Sequence, residues 1–265
     1  MGPRRTEPGR ARATPTDPGR TIAALAGVVL AAAALAGLLA GRAAAASGAA
    51  RTPDDLVRVL RERARKVNGF LAEISVRAGG TTQSGTLLFL APESVRMEMT
   101  ISGLGTQTVV SDGRTLWTIT PQARLATKVD LGAVRKSWHR PLPNQATAIR
   151  DVFEVVRPGT IRFVKDEPIQ GTKTRLFEGI PETGVNAPRD ARLPDRIRAW
   201  VGEDGLLRRQ VLMRGREVLM DASFRIKDTN PRIRAGLFTF DPPSGYEVQD
   251  LTESTLKSLR SLERG

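Results

Sequence analysis

The sequence predicts an α+β domain dominated by an antiparallel β-sheet with one apolar face. Three observations lead there: runs in which apolar and polar residues alternate with a period of two, short Asp-Gly and Gly-Arg pairs between those runs, and two stretches with apolar stripes at helical spacing. A chain of 265 residues, 40% of them hydrophobic, supports a single domain with a core of its own.

The first segment reads as a targeting signal rather than as part of that domain. Arg4, Arg5, Arg10, Arg12 and Arg20 stand among prolines and glycines, and residues 21–41 then run without a charge. Ala44, Ala45 and Ala46 supply an A-x-A site behind this run, so residues 1–46 read as a signal peptide removed on export, with the domain proper over 47–265. The same run is long enough to span a bilayer with its N-terminus held in the cytoplasm by the arginines, so a retained membrane anchor is the competing reading. Arg4-Arg5 is followed by polar residues, which argues against a twin-arginine signal.

The domain opens on a helix near residues 53–67. Thr52 suits the N-cap, Pro53 the first turn, and Asp54 and Asp55 the positive end of the helix dipole, while Leu56, Leu60, Ala64 and Val67 form a stripe that Gly69 ends. Strand alternation follows: Phe70, Ala72, Ile74 and Val76, then Val95, Met97 and Met99, later Ile197, Ala199 and Val201, and most regularly Val218, Met220, Ala222, Phe224 and Ile226. Asp112-Gly113, Asp204-Gly205 and Gly215-Arg216 read as hairpin turns. A second helix is expected near residues 145–157, with Ala146, Ile149, Val152, Phe153 and Val156 on one face; residues 184–194 read as a surface loop, and the C-terminal "LTESTLKSLRSLERG" as a helix that frays.

Within "TVVSDGRTLW", the Asp-Gly pair is expected to centre a two-residue hairpin, pairing Ser111 with Arg114, Val110 with Thr115 and Val109 with Leu116. That reading removes Ser111 and Asp112 from any catalytic loop. A Ser-His-Asp hydrolase is disfavoured further, because the single histidine, His139, lies in "KSWHRPLP" and there is no G-x-S-x-G elbow. No cysteine is present, which rules out disulfides, thiolate metal sites, a cysteine nucleophile and a lipid-modified cysteine. Scattered carboxylates and one histidine suggest no metal centre, and "SGLGTQT" lacks the lysine and helix of a phosphate loop. No catalytic residues, metal or cofactor are therefore expected. The net charge of +13 comes from dispersed basic residues with only 5% aromatics, a pattern that lacks the stacking platform of a nucleic-acid binder and fits attraction to anionic membrane surfaces or acidic partners.

"GTLLFLAPESVRMEM", "VVSDGRTLWTITP", "AWVGEDGLLRRQ" and "GLFTFDPPSGYEV", with the helix ending in "KVNGF", occur in the order seen in the periplasmic carrier family for outer-membrane lipoproteins, which shares its fold with the outer-membrane lipoprotein receptor. Residues 52–250 resemble that family. The resemblance implies an unclosed antiparallel β half-barrel with a helical lid over an apolar concave face, where the acyl chains of a lipoprotein lie. It also implies a monomer in the periplasm that takes acylated lipoproteins or lipids from an inner-membrane ABC transporter and passes them to an outer-membrane receptor. Val95, Met97, Met99, Val218, Met220, Ala222 and Phe224 then line either a sealed core or an acyl-chain cavity, and methionine suits a surface that repacks around variable chains. Ala91 stands before Pro92 where the family carries a lid-locking arginine, with Arg96 nearby on a strand. Leu104, between Gly103 and Gly105, matches the hairpin from which the receptor branch projects an apolar residue toward the membrane.

A non-enzymatic carrier is the leading expectation. Exposing an acyl chain of roughly a dozen methylenes costs on the order of 10 kcal/mol at ~0.8 kcal/mol per methylene, which a covered trough removes. The alternative is a membrane-anchored envelope sensor or regulator, or a lipid-binding protein, using the same fold.

Overall fold

The computed structural model describes residues 52–101, 105–138, 149–181 and 193–263. The segment expected to direct export, the loop residues 184–192, His139, Ala146 and Leu104 lie outside these residues. Among the described residues, twelve strands form one sheet: β1 (Gly69–Ala78), β2 (Thr81–Leu90), β3 (Ser94–Ile101), β4 (Gly105–Ser111), β5 (Thr115–Thr120), β6 (Leu125–Asp130), β7 (Arg162–Asp166), β8 (Thr174–Gly179), β9 (Arg196–Gly202), β10 (Leu207–Arg214), β11 (Glu217–Thr229) and β12 (Glu247–Asp250). Their spatial order is β12-β6-β5-β4-β3-β2-β1-β11-β10-β9-β8-β7. Neighbours are antiparallel except β12, which runs parallel to β6. β7 and β12 end the order without pairing to each other, so the sheet is an unclosed half-barrel with a helical portion.

Helix α1 (Pro53–Arg65) starts as expected. Thr52 Oγ1 accepts from Asp55 N at 3.2 Å and Asp55 Oδ2 accepts from Thr52 N at 3.2 Å, a reciprocal capping box. Its buried stripe of Val57, Leu60 and Ala64 lies on the sheet's inner face, among Phe70, Ala72, Ile74, Leu87 and Phe89. At the β9–β10 connection Gly205 has φ +85°, and a Cβ there would run into the carbonyl of Leu60 and sit 2.9 Å from Ala64. Only glycine allows that turn to touch the helix.

The chain after β11 crosses the outer face. Phe240 packs edge-on to Trp117 at 5.5 Å between ring centroids, Tyr246 follows at 6.4 Å, and Arg96 donates to the carbonyl of Leu237. Val110 and Ile119, also on the outer face by register, are buried. Helices α2 (Leu131–Ser137) and α3 (Thr252–Glu263) make a small second cluster of Val134, Trp138 and Leu256, with Val129 of β6 against it.

Two local expectations need correction. Ser111 pairs with Leu116 and Val110 with Trp117, not with Arg114 and Thr115, so four residues, 112–115, separate the last cross-strand pair. Asp112 Oδ1 accepts from Arg114 N at 2.8 Å and Thr115 N at 2.9 Å, and Ser111 Oγ accepts from Gly113 N at 3.1 Å; these side-chain bonds stabilise a wider turn. The shift in pairing is even, so every side chain keeps its face. The second helix does not run to residue 157: Ile149 and Arg150 are helical, Asp151 breaks the run, and Val152–Val155 form one 3₁₀ turn. Asp151 Oδ1 accepts from Phe153 N at 3.2 Å, the local bond by which aspartate competes with a continuing helix. Gly215-Arg216, by contrast, is the two-residue turn expected, with Arg214 opposite Glu217.

Candidate apolar binding face

Period-two register carries one apolar face across the sheet. Val95 pairs with Phe89, Met97 with Leu87 and Met99 with Gly85; β2 continues into β1 through Phe70, Ala72 and Ile74, and β1 into β11 through Phe224 and Ala222. Val95, Met97, Met99 and Ala222 are buried there, and Met220 and Phe224 are half-buried against the same cluster. The sheet thus brings six of the seven residues named from the sequence to one face.

Val218 does not join them: it is 53% exposed. Leu212 faces Met220 but Met213 faces Val218, so Leu219 is an extra residue in β11. This bulge reverses the alternation beyond it. Val218 therefore stands opposite Met213, which packs on the outer face against Leu176, Trp200 and Val211. A strict two-residue count read through the bulge assigned it to the wrong side.

Two segments cover the inner face, α1 and residues 149–156. Ile149, Val152, Phe153, Val155 and Val156 share the core cluster with α1, and Phe153 stacks edge-on to Phe177 at 5.1 Å. The covering segments are tied to each other by Arg61 Nε, 2.9 Å from Asp151 Oδ1 and 2.8 Å from Oδ2, a partly buried pair spanning 90 residues of sequence. The Arg61 guanidinium also lies 6.0 Å from the Phe153 ring centre, and Arg150 lies 5.5 Å over Phe89. Desolvation, followed by the nearby Asp151 charge, raises the Glu154 carboxyl above its ordinary range, against the pull of Arg61, Arg65 and Arg150.

Ala91 is half-buried against the core, and its N–H donates to the Asn68 carbonyl at 2.7 Å. Arg96 does not reach the cover from β3. It faces outward, with Nη2 and Nε at 2.6 and 3.0 Å from Glu98 Oε1. The Arg61–Asp151 tie was not legible in sequence, because neither residue stands in a motif and only the fold brings them together.

Among the described residues, no group of three or more His, Cys, Asp or Glu is placed to hold a metal ion, and no helix is long and apolar enough to cross a membrane. No family model matches the chain, and no curated protein matches it by sequence. Solved structures do. An uncharacterised conserved protein from Thermus thermophilus superposes with a TM-score of 0.50 at 10% identity, over 74% of this chain and 98% of that one. What is shared is the fold. Lipoprotein LppX of Mycobacterium tuberculosis is similar at TM-score 0.45 and 12% identity over 69% of this chain and 98% of its own. MucB in the Pseudomonas aeruginosa MucA/MucB complex gives 0.45 at 15% identity, over 71% of this chain and 61% of that one.

Proposed function

We propose that this chain is a non-enzymatic carrier that shields the acyl chains of lipoproteins or lipids across the periplasm, delivering them toward the outer membrane. The observation that supports the reading most is the continuous apolar face of Val95, Met97, Met99, Met220, Ala222 and Phe224 beneath a two-part cover. In the closed form that face is satisfied by the cover's own side chains, including Leu60, Val152 and Phe153. Exchanging those contacts for a cargo chain replaces one apolar burial with another at ~0.8 kcal/mol per methylene, so the swap is nearly balanced and opening is not prohibitive. Met97, Met99 and Met220 can repack around chains of different length. Export through residues 1–46, an inner-membrane ABC transporter as donor and an outer-membrane receptor as acceptor belong to the same proposal.

The test is loading with a fluorescently labelled triacylated lipoprotein. Wild type should retain it through gel filtration, whereas Phe224→Glu, which aims a carboxylate at the apolar face, should lose it while melting cooperatively. Folded wild type that binds neither acylated protein nor phospholipid would sink the reading. The uncharged run at residues 21–41 favours a second reading, an anchored envelope sensor. Intact chain found only in the inner-membrane fraction would select it.

A further inference from the structure

We infer that the β10–β11 hairpin tip is a docking point for an anionic lipid bilayer, at the end of the half-barrel that also carries the β1–β2 and β5–β6 turns, whatever the inner face binds. Ala78, the last residue of β1, pairs with Met220, and Arg196, the first residue of β9, pairs with Met213. Glu217–Leu219 therefore extend past β1, by roughly 7–10 Å at ~3.3 Å per residue, and Arg214–Glu217 past the start of β9. The tip is not loose: Gly215, at φ +58°, donates its N–H to Asp195 Oδ2 at 2.8 Å. The bulge at Leu219 turns Val218 out of the core, and it stands 53% exposed two residues from Arg216, with Arg214 across the turn.

Other turns at this end add to the same charge. Arg77 lies beside the β1–β2 turn and Arg124 closes the turn between β5 and β6; both are exposed, as are Arg214 and Arg216. None of the four forms an ion pair with another described residue in the structure. Glu217 and Asp195 are the acidic groups of the tip, and Asp195 is engaged by Gly215 N. The tip thus presents a projecting valine among four exposed arginines, a charge that suits a negative surface. Arginines beside an exposed apolar side chain suit the headgroup boundary, where the cations meet phosphates and the valine leaves water.

The chain has no cysteine, so Val218→Cys in the full chain accepts a single environment-sensitive fluorophore, with Glu203→Cys as the control at the other end. The probes are phosphatidylcholine vesicles with and without phosphatidylglycerol, and soluble polyglutamate. The position-218 label should shift to the blue and be quenched by spin-labelled lipid only on vesicles containing phosphatidylglycerol, while the position-203 label stays in water. A basic residue near such a surface contributes about fivefold, so adding Arg214→Ala and Arg216→Ala should weaken the contact roughly thirtyfold, with an unchanged melting curve. A position-218 label that stays in water on anionic vesicles, or responds equally on neutral ones, would overturn the inference. A response to polyglutamate without one to vesicles would overturn it too, and would assign the tip to an acidic polypeptide.

Discussion

Breaking the Arg61–Asp151 tie should loosen the cover without unfolding the sheet. The pair is hydrogen-bonded at 2.8–2.9 Å, with the side chains 34% and 17% exposed, so it lies between the surface and buried regimes. Exposed pairs contribute about 0.2–1 kcal/mol and hydrogen bonds to charged groups about 1.5–3 kcal/mol, which places the coupling here near 1–2 kcal/mol. Asp151 also caps Phe153 N, so Asp151→Ala should cost more than Arg61→Ala by about one capping bond, ~1 kcal/mol. A double-mutant cycle separates the two contributions. The assay is native-state hydrogen exchange: amides of α1 should open about 5–30 times more often, the population equivalent of 1–2 kcal/mol, while those of β1 and β2 keep their protection. Molar salt should reduce the coupling only in part, because the pair is half-enclosed. A coupling below about 0.3 kcal/mol, or equal loss of protection in α1 and the central strands, would rule out a cover held by this pair.

Three further outcomes follow from particular contacts. Met220→Asp should destabilise the fold by at least about 3 kcal/mol in urea melts, whereas Val218→Asp should change it by less than about 0.5 kcal/mol; equal costs would place both on one face and remove the bulge argument. Gly205→Ala should lower the melting temperature through both its left-handed backbone, about 1–2 kcal/mol, and the overlap with Leu60 and Ala64, with the loss concentrated in α1 exchange. The Asp250 carboxyl is held down to about 2 by Thr252, first through its side chain and then its backbone N–H, and by Lys128. Because its folded value is below the unfolded 3.8, its stabilisation is present above pH 3.8 and is lost as pH falls toward 2. Exchange-detected fraying of β12 and α3 should start in that window, and Asp250→Asn should abolish the pH dependence.

Much of the fold was legible because its signals are local. A capping box needs only Thr52 and Asp55 three residues apart, and alternation in β1 and β3 reports the face of each side chain from its neighbours alone. Composition was enough to remove thiol chemistry, since no cysteine stands anywhere in the chain. The facing of Met97, Met99 and Ala222 followed from the same count. What alternation lacks is any record of an inserted residue: Leu219 interrupts β11 only because β10 holds Met213 against Val218 and Leu212 against Met220, and that register is set by pairing across the hairpin. The β4–β5 register likewise depends on where the Asp112 carboxylate finds its donors once the strands have met.

The helical pattern over residues 145–157 correctly placed Ile149, Val152, Phe153 and Val156 in the core but not the break at Asp151, whose carboxylate is held by Arg61 from a helix 90 residues earlier. The outer-face crossing that brings Phe240 onto Trp117 has no periodic signature, since a segment without regular structure leaves none. Residue order alone settles which side chains are apolar, how they alternate and where the backbone can turn. Which of those side chains meet is settled only on folding, because a bulge, a wide turn and an ion pair between distant segments are chosen by partners that no window of neighbouring residues contains.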